Sequence, residues 1–317
     1  VTTQQATGHS YNQFGYCTNG CGDYKGTALT IGNNGAPYTI LAQNDPSREP
    51  VYFKVTITSA GNYQITHDVG NIVIADNNFT NISCVNPNLD TIYKLTQQDY
   101  YIVIDDTTTT QAVNGEIIIL PYTPTDITSR LFDSTNTYSF GINETQYFKF
   151  TAPANGQLKC NALNQADSMF IFDVGYSDVN VNNYTFAVSA QNTYLVKITL
   201  ASANTAQPVY FVCETHPYNA YGVCEMCGYY CGTTLNDIIK VSTLNSVSNY
   251  SAIVNPNVTT YVKVENLTQN LTYSVSVQDY TIYDANGNSV NKDMVSNNFT
   301  LANNLPTNVN GGVDLYF

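Results

Sequence analysis

Apolar and polar positions alternate with a period of two in short runs along this chain. Residues 51–58 alternate in this way, and so do 146–151 and 261–264, which predicts half-buried β-strands. Tyr100-Tyr101-Ile102-Val103-Ile104 and Tyr194-Leu195-Val196-Lys197-Ile198 predict later strands. Ile117-Ile118-Ile119-Leu120 and Val209-Tyr210-Phe211-Val212 predict the strands that close two modules. No stretch long enough for a three-turn helix carries helical periodicity. Asn33-Asn34-Gly35, Asn114-Gly115, Asn155-Gly156 and Asn286-Gly287 read as turns between strands. Short strands at regular spacing predict an all-β chain of tandem antiparallel β-sandwich modules.

Two internal repeats organise these strands. His9-Ser10-Tyr11-Asn12-Gln13-Phe14-Gly15-Tyr16-Cys17 returns as His216-Pro217-Tyr218-Asn219-Ala220-Tyr221-Gly222-Val223-Cys224. The match runs on from Cys21-Gly22-Asp23-Tyr24 to Cys227-Gly228-Tyr229-Tyr230, with one residue gained or lost between the paired cysteines. This is a duplicated connector. The second repeat occurs three times, as Tyr52-Phe53-Lys54-Val55, Tyr147-Phe148-Lys149-Phe150 and Tyr261-Val262-Lys263-Val264. Each copy is followed at similar distance by an Ile with an Asp two positions on: Ile74/Asp76, Ile171/Asp173 and Ile282/Asp284. Three copies of one spacing predict three copies of one module.

The expected boundaries are an N-terminal tail and Cys connector over 1–26 and a first sandwich over 27–122. A Pro- and Thr-rich linker over 123–127 and a second sandwich over 128–213 follow. A Cys connector over 214–232 leads to a third sandwich over 233–317. The third module is shorter than its siblings. Val313-Asp314-Leu315-Tyr316-Phe317 matches either of the last two sibling strands, so the module is expected to be one strand short. Such a sandwich exposes an unpaired edge that another chain can fill. Residues 1–8 are the candidate donor.

Composition narrows the function. The 317-residue chain carries a net charge of -13, which argues against nucleic acid as a partner. Only 11% of residues are charged while 43% are hydrophobic, so packed cores under an uncharged polar surface are expected. There are 26 Tyr and no Trp. Tyr suits both pleated strands and half-buried contacts. No apolar run is long enough to span a bilayer. The chain begins at Val1, which reads as a mature secreted product without its leader.

Tyr147-Phe148-Lys149-Phe150-Thr151-Ala152-Pro153, followed by Met169-Phe170-Ile171-Phe172-Asp173, resembles the bacterial pre-peptidase C-terminal domain. Tyr280-Thr281-Ile282-Tyr283-Asp284-Ala285-Asn286-Gly287 fits the same pattern, and module one departs from it at Ala75. The resemblance implies an immunoglobulin-like or jelly-roll-like sandwich on secreted proteins. It implies an accessory or interaction role, and brings no catalytic residues. It does not extend to the connectors.

Eight cysteines in a secreted chain favour disulfides. Aligning the connector copies sets Ala6 opposite Cys213 and Lys25 opposite Cys231, which predicts a Cys213–Cys231 bond. Local pairs are then Cys17–Cys21 and Cys224–Cys227, and elimination leaves Cys84–Cys160 to fix the angle between two modules. The competing reading is zinc held by Cys224, Cys227, Cys231 and His216, with only His9, Cys17 and Cys21 in the first copy. With disulfides preferred, no metal or other cofactor is expected.

Asn78, Asn81, Asn143, Asn183, Asn249, Asn257, Asn266, Asn270 and Asn298 are N-glycosylation candidates. Asp284-Ala285-Asn286-Gly287-Asn288 is a faint calcium loop that a hairpin turn explains more cheaply. Asp76, Asp105 and Asp106 are read as solvated strand ends. Of His9, His67 and His216, two belong to the connector repeat. No nucleophile elbow, metalloprotease motif or phosphate loop is present, so no enzyme is expected. The expected function is a structural subunit of an extracellular fibre or surface layer, its partners being copies of itself and covalent glycans. A carbohydrate-binding adhesin and an accessory region of a larger secreted hydrolase are the alternatives.

Overall fold

The structure, a computed structural model, describes residues 8–161, 167–220, 222–231, 233–235, 262–267, 272–274, 281–290, 298–300, 305–307 and 313–316. It is nearly all β, in antiparallel sheets that form sandwiches. The first module comprises β1 (Thr27–Leu29), β2 (Gly32–Ile40), β3 (Val51–Thr56), β4 (Gly61–His67), β5 (Asn71–Ala75), β6 (Asn81–Ile82), β7 (Ile92–Leu95), β8 (Asp99–Asp105) and β9 (Val113–Pro121). One sheet runs β1-β3-β8-β5-β6 and the other β2-β9-β4-β7. Inward residues such as Phe53, Val55, Ile65, Ile102, Ile104 and Ile119 fill the space between them.

The second module comprises β10 (Thr125–Asp126), β11 (Thr137–Phe140), β12 (Thr145–Thr151), β13 (Gly156–Cys160), β14 (Ser168–Asp173), β15 (Asp178–Val179), β16 (Thr185–Val188), β17 (Thr193–Thr199), β18 (Asn204–Pro208) and β19 (Phe211–Thr215). Its sheets are β10-β12-β17-β14-β15, β16-β13-β19 and the pair β11-β18. Phe148, Phe150, Phe186 and Phe211 supply much of the core. In the third region lie β20 (Thr233–Leu235), β21 (Val262–Leu267), β22 (Thr272–Ser274), β23 (Tyr283–Asp284), β24 (Asn298–Thr300) and β25 (Val313–Tyr316), in sheets β20-β21-β25-β23 and β22-β24. Leu267, Ile282, Val313 and Leu315 are buried together there.

Among the described residues, the first sheet of each module shares one strand order and one pairing of the repeated Lys. β1, β10 and β20 each pair in parallel with the strand bearing the repeated Lys. Lys54, Lys149 and Lys263 face Tyr101, Leu195 and Tyr316 across the ladder. β25 therefore corresponds to β8 and β17, and not to the closing strands β9 and β19. The sequence had left both matches open.

Two expected turns are strand interior instead. Asn33-Asn34-Gly35 lies within β2, at a register shift between Gly32 and Ala36. Asn114-Gly115 lies within β9, where a Cβ on Gly115 would stand 2.7 Å from the Tyr38 ring. That glycine serves close backbone approach rather than reversal. Asn155-Gly156 does precede a new strand, and Gly287 does turn the chain at φ +80.

The segment expected as a linker is drawn into the fold. Thr125–Asp126 forms β10 against β12, and Ile127 is buried in the second core. Modules one and two also share an apolar contact of Leu89, Ile92, Phe172 and Leu195. Thr91 and Tyr147 hydroxyls meet at 3.1 Å, and the Lys197 ammonium donates to the Asn88 carbonyl at 2.8 Å. Hydrogen bonds and packing, not a Cys84–Cys160 bond, join these two modules.

Candidate functional site: the paired connectors and the edge of the third module

Each connector folds as the same miniature unit. Asn12 and Asn219 begin a tight loop in which their side-chain oxygens accept from Tyr16 and Val223 backbone N–H groups at 3.1 and 3.0 Å. Gly15 and Gly222 close that loop at positive φ. Isolated bridges Tyr11–Cys17 and Tyr218–Cys224 hold the next turn, as do Tyr16–Tyr24 and Val223–Tyr230. His9 stacks on Tyr11 and His216 on Tyr218, each with centroids 5.6 Å apart.

Each unit lies on the module that follows it. Tyr24 meets Tyr101 edge to face at 5.6 Å, and Tyr230 meets Tyr316 in the same way at 5.7 Å. In the first copy Phe14 and Phe79 complete the contact, stacked at 5.9 Å. The second copy also grips the module before it. Cys224 and Met226 are buried in the core of module two, with Cys213 and Cys227 packed against that core.

The structure brings the two expected local pairs together, Cys17 with Cys21 and Cys224 with Cys227, each within 4.8 Å, but sets Cys231 outside the group that holds Cys213. No disulfide joins any two of the described cysteines. Sγ of Cys213, Cys224 and Cys227 and a ring nitrogen of His216 all lie within 4.8 Å of one another. The expected partner Cys231 is exposed and outside that group. Cys84 packs against the core of module one and Cys160 is buried in that of module two, so the pair reached by elimination is not formed. Sequence reasoning missed Cys213 as a companion of His216. The signal was Cys213-x-x-His216, which lies upstream of Cys224-x-x-Cys227.

In the first copy His9, Cys17 and Cys21 are grouped the same way, with Cys21 Sγ 3.3 Å from His9 Nδ1. A hydrogen bond from Cys21, aided by His9, pulls the Cys17 thiol down to about 6 against the opposing effect of burial. In the second copy burial is the main influence and pushes the Cys213 and Cys227 thiols up.

The carboxylates of the repeated Ile-x-Asp motif are occupied by backbone. Asp76 Oδ1 accepts from Asn78 and Thr80 N–H groups, both at 2.9 Å. Asp173 Oδ1 accepts from Gly175 and Ser177 at 2.8 and 2.9 Å, and Asp284 Oδ1 from Asn286 and Asn288 at 2.9 and 2.8 Å. Asp284 Oδ2 also accepts from the Asn288 amide at 3.1 Å. These are hairpin clamps, which accounts for the motif without calcium. Asp105 pairs with Arg48, and Asp106 caps a turn at Thr108. His67 ends β4, with Nδ1 3.4 Å from the Val69 carbonyl.

Asn78, Asn81, Asn143 and Asn183 are exposed, where a glycan has room. Asn266 lies on β21 and Asn298 on β24, while Asn249, Asn257 and Asn270 lie outside the described residues. Residues 1–7 and Tyr261 also lie outside them.

Among the described residues, module three differs from its siblings at one edge. β4 lies between β7 and β9, and β13 lies between β16 and β19. Their counterpart β22 pairs, among the described residues, with β24 alone.

No family model matches the chain, and no curated protein matches it. Among solved structures it is similar to Lac15 from a marine microbial metagenome, at 11% identity and a TM-score of 0.22. That alignment covers 56% of this chain and 54% of the other, so the chain spans about half the length of the protein it matches. No helix among the described residues is long and apolar enough to cross a membrane.

Proposed function

We propose that the chain is a non-enzymatic structural subunit of an extracellular fibre or surface layer, joined head to tail to copies of itself by strand donation. The observation that carries this reading is the one-sided pairing of β22 among the described residues, where β4 and β13 are paired on both sides. An unpaired strand edge is a template for a strand from another chain. Residues 1–8 are the candidate donor. Extending the connector alignment upstream from Ala6 and Cys213 sets residues 4–8 opposite β19, the strand that closes module two and leads into its connector. A subunit whose residues 1–8 closed module three of its neighbour would set connector one against that module, as connector two is set against module two. Because donor and acceptor are different surfaces, the contact repeats into a filament unless it closes on itself.

Negative-stain electron microscopy of the native material tests this before and after mild denaturation. Regular fibres that persist on dilution, and are lost when residues 1–7 are deleted, are the expected result. Dispersed three-lobed particles at high concentration would overturn it.

A further inference from the structure

We propose that Cys213, His216, Cys224 and Cys227 form a closed Cys3His site for a zinc ion, which locks the second connector onto module two. Four donors of the types zinc prefers converge from two pieces of chain, with every pair of ligand atoms within 4.8 Å. Zinc–sulfur and zinc–nitrogen bonds of about 2.3 and 2.1 Å place tetrahedral ligand atoms roughly 3.5–3.8 Å apart. His216 Nδ1 stands 3.4 Å from Cys227 Sγ, close to that edge length.

A disulfide accounts for less of this arrangement. It would use two of the three sulfurs and leave the third thiol and the imidazole converged without a purpose. The cysteine that a disulfide scheme supplies as partner, Cys231, stands apart and exposed. The local backbone also suits a metal knuckle. Gly228 follows Cys227 at φ +74, its N–H donates to the Cys224 carbonyl at 2.9 Å, and the Tyr229 backbone hydrogen-bonds to the Cys227 sulfur. The first of these bonds fixes the turn, and the second, made to a ligand sulfur, is of the kind that orients and supports a thiolate.

The placement says what the ion does. Cys213 belongs to β19, and His216 follows directly after it. Cys224 and Cys227 belong to the connector turn. An ion bonded to all four ties the last strand of module two to the unit that packs Tyr230 on Tyr316 of module three. With four protein ligands the site has no open position for substrate, so its role is structural. A unit of some twenty residues has little core of its own, which is the situation in which small folds use a metal or a disulfide. The first copy keeps His9, Cys17 and Cys21 but has Ala6 in the place of Cys213. Cys213→Ala thus gives the second copy the ligand set of the first.

The test uses the full chain, refolded with zinc under reducing conditions and freed of excess metal by gel filtration. One retained zinc per chain by mass spectrometry of the metal is expected. Cobalt(II) in its place should show the intense visible bands of a tetrahedral site and sulfur-to-cobalt charge transfer. Cys231→Ala should keep both properties. Cys213→Ala should weaken retention beyond the roughly 10–100-fold typical of outer-shell changes. Cys213→His should retain cobalt with a smaller charge-transfer band, which separates lost ligation from lost folding. Folded chains with free thiols and no retained metal would overturn the proposal. So would native material in which peptide mapping finds a disulfide between any two of Cys213, Cys224 and Cys227. Neither result depends on whether the chain forms fibres.

Discussion

Phe79 and Tyr176 occupy the same left-handed place in two copies of one turn, at φ +61 and +66, each third after the clamping Asp. Both backbone N–H groups donate to the carbonyl of that Asp at 3.0 Å. An aromatic residue rarely adopts this conformation, at a cost of about 1–2 kcal/mol. Here each ring is placed against a neighbour. Phe79 stacks with Phe14 of connector one, and the Tyr176 hydroxyl accepts from Asn62 while its carbonyl accepts from Asn86 at 2.8 Å. In module three the same place is Gly287, at φ +80.

This arrangement predicts an unusual order of substitution costs. Tyr176→Ala keeps the backbone cost and loses the ring, whereas Tyr176→Gly loses both. Denaturant unfolding should find the Gly variant less destabilised than the Ala variant by about 1 kcal/mol. In both, amide exchange should accelerate around Asn86 and Leu89, which line the contact with module two.

The clamp itself is testable at Asp173. Its Oδ1 holds two N–H groups in the turn, so Asp173→Ala should cost about 2 kcal/mol, in the range for hydrogen bonds to a charged group. Millimolar calcium should leave the unfolding midpoint of the parent chain unchanged. A calcium-dependent rise abolished by Asp173→Ala would show that the carboxylate does more than hold the turn.

Acid should weaken the first module partly through Asp99. A hydrogen bond from the Lys54 ammonium, and another from Thr56, hold this carboxyl below its ordinary value. A lowered carboxylate pKa contributes stability that is present above the unfolded-state value and fades as pH falls through the folded one. Asp99→Asn should therefore flatten the acid limb of a stability–pH curve and change little near neutrality beyond the loss of a half-exposed pair. An acid limb identical to the parent's would remove Asp99 from the account.

Tyr24 carries a second, opposite expectation. Its hydroxyl is buried with no hydrogen-bond partner among the described residues, while its ring packs on Tyr101. Burial pushes its ionisation well above the ordinary tyrosine value. Tyr24→Phe should raise stability by up to about 1 kcal/mol, because it removes an unsatisfied polar group and keeps the ring. Tyr24→Ala should lower it by about 3–5 kcal/mol in the manner of a lost core aromatic.

The sequence was most legible where one side-chain period served one purpose. Val51–Thr56 and Thr145–Thr151 alternate because one face of each is core, and their strands fall as the alternation predicts. Local dipeptides were less reliable. Asn114-Gly115 has the chemistry of a turn, but its glycine is used to let β9 pass close to Tyr38. The cysteines misled for another reason. Elimination assumes that every thiol is paired, whereas Cys84 and Cys160 are hydrophobic residues of two separate cores. The contact between modules one and two could not be read at all. Nothing local distinguishes Tyr147 and Tyr176, which meet a neighbouring module, from tyrosines that meet solvent.

Each module opens with a short strand laid parallel to the next one inward: β1 on β3, β10 on β12 and β20 on β21. A hairpin edge lifted at one end opens one bond at a time. A parallel strand drawn along its own length has to slide, and its bonds break together. Tension carried along the polypeptide into β1, β10 or β20 is thus shared across the whole ladder, and each module begins with its own mechanical clamp.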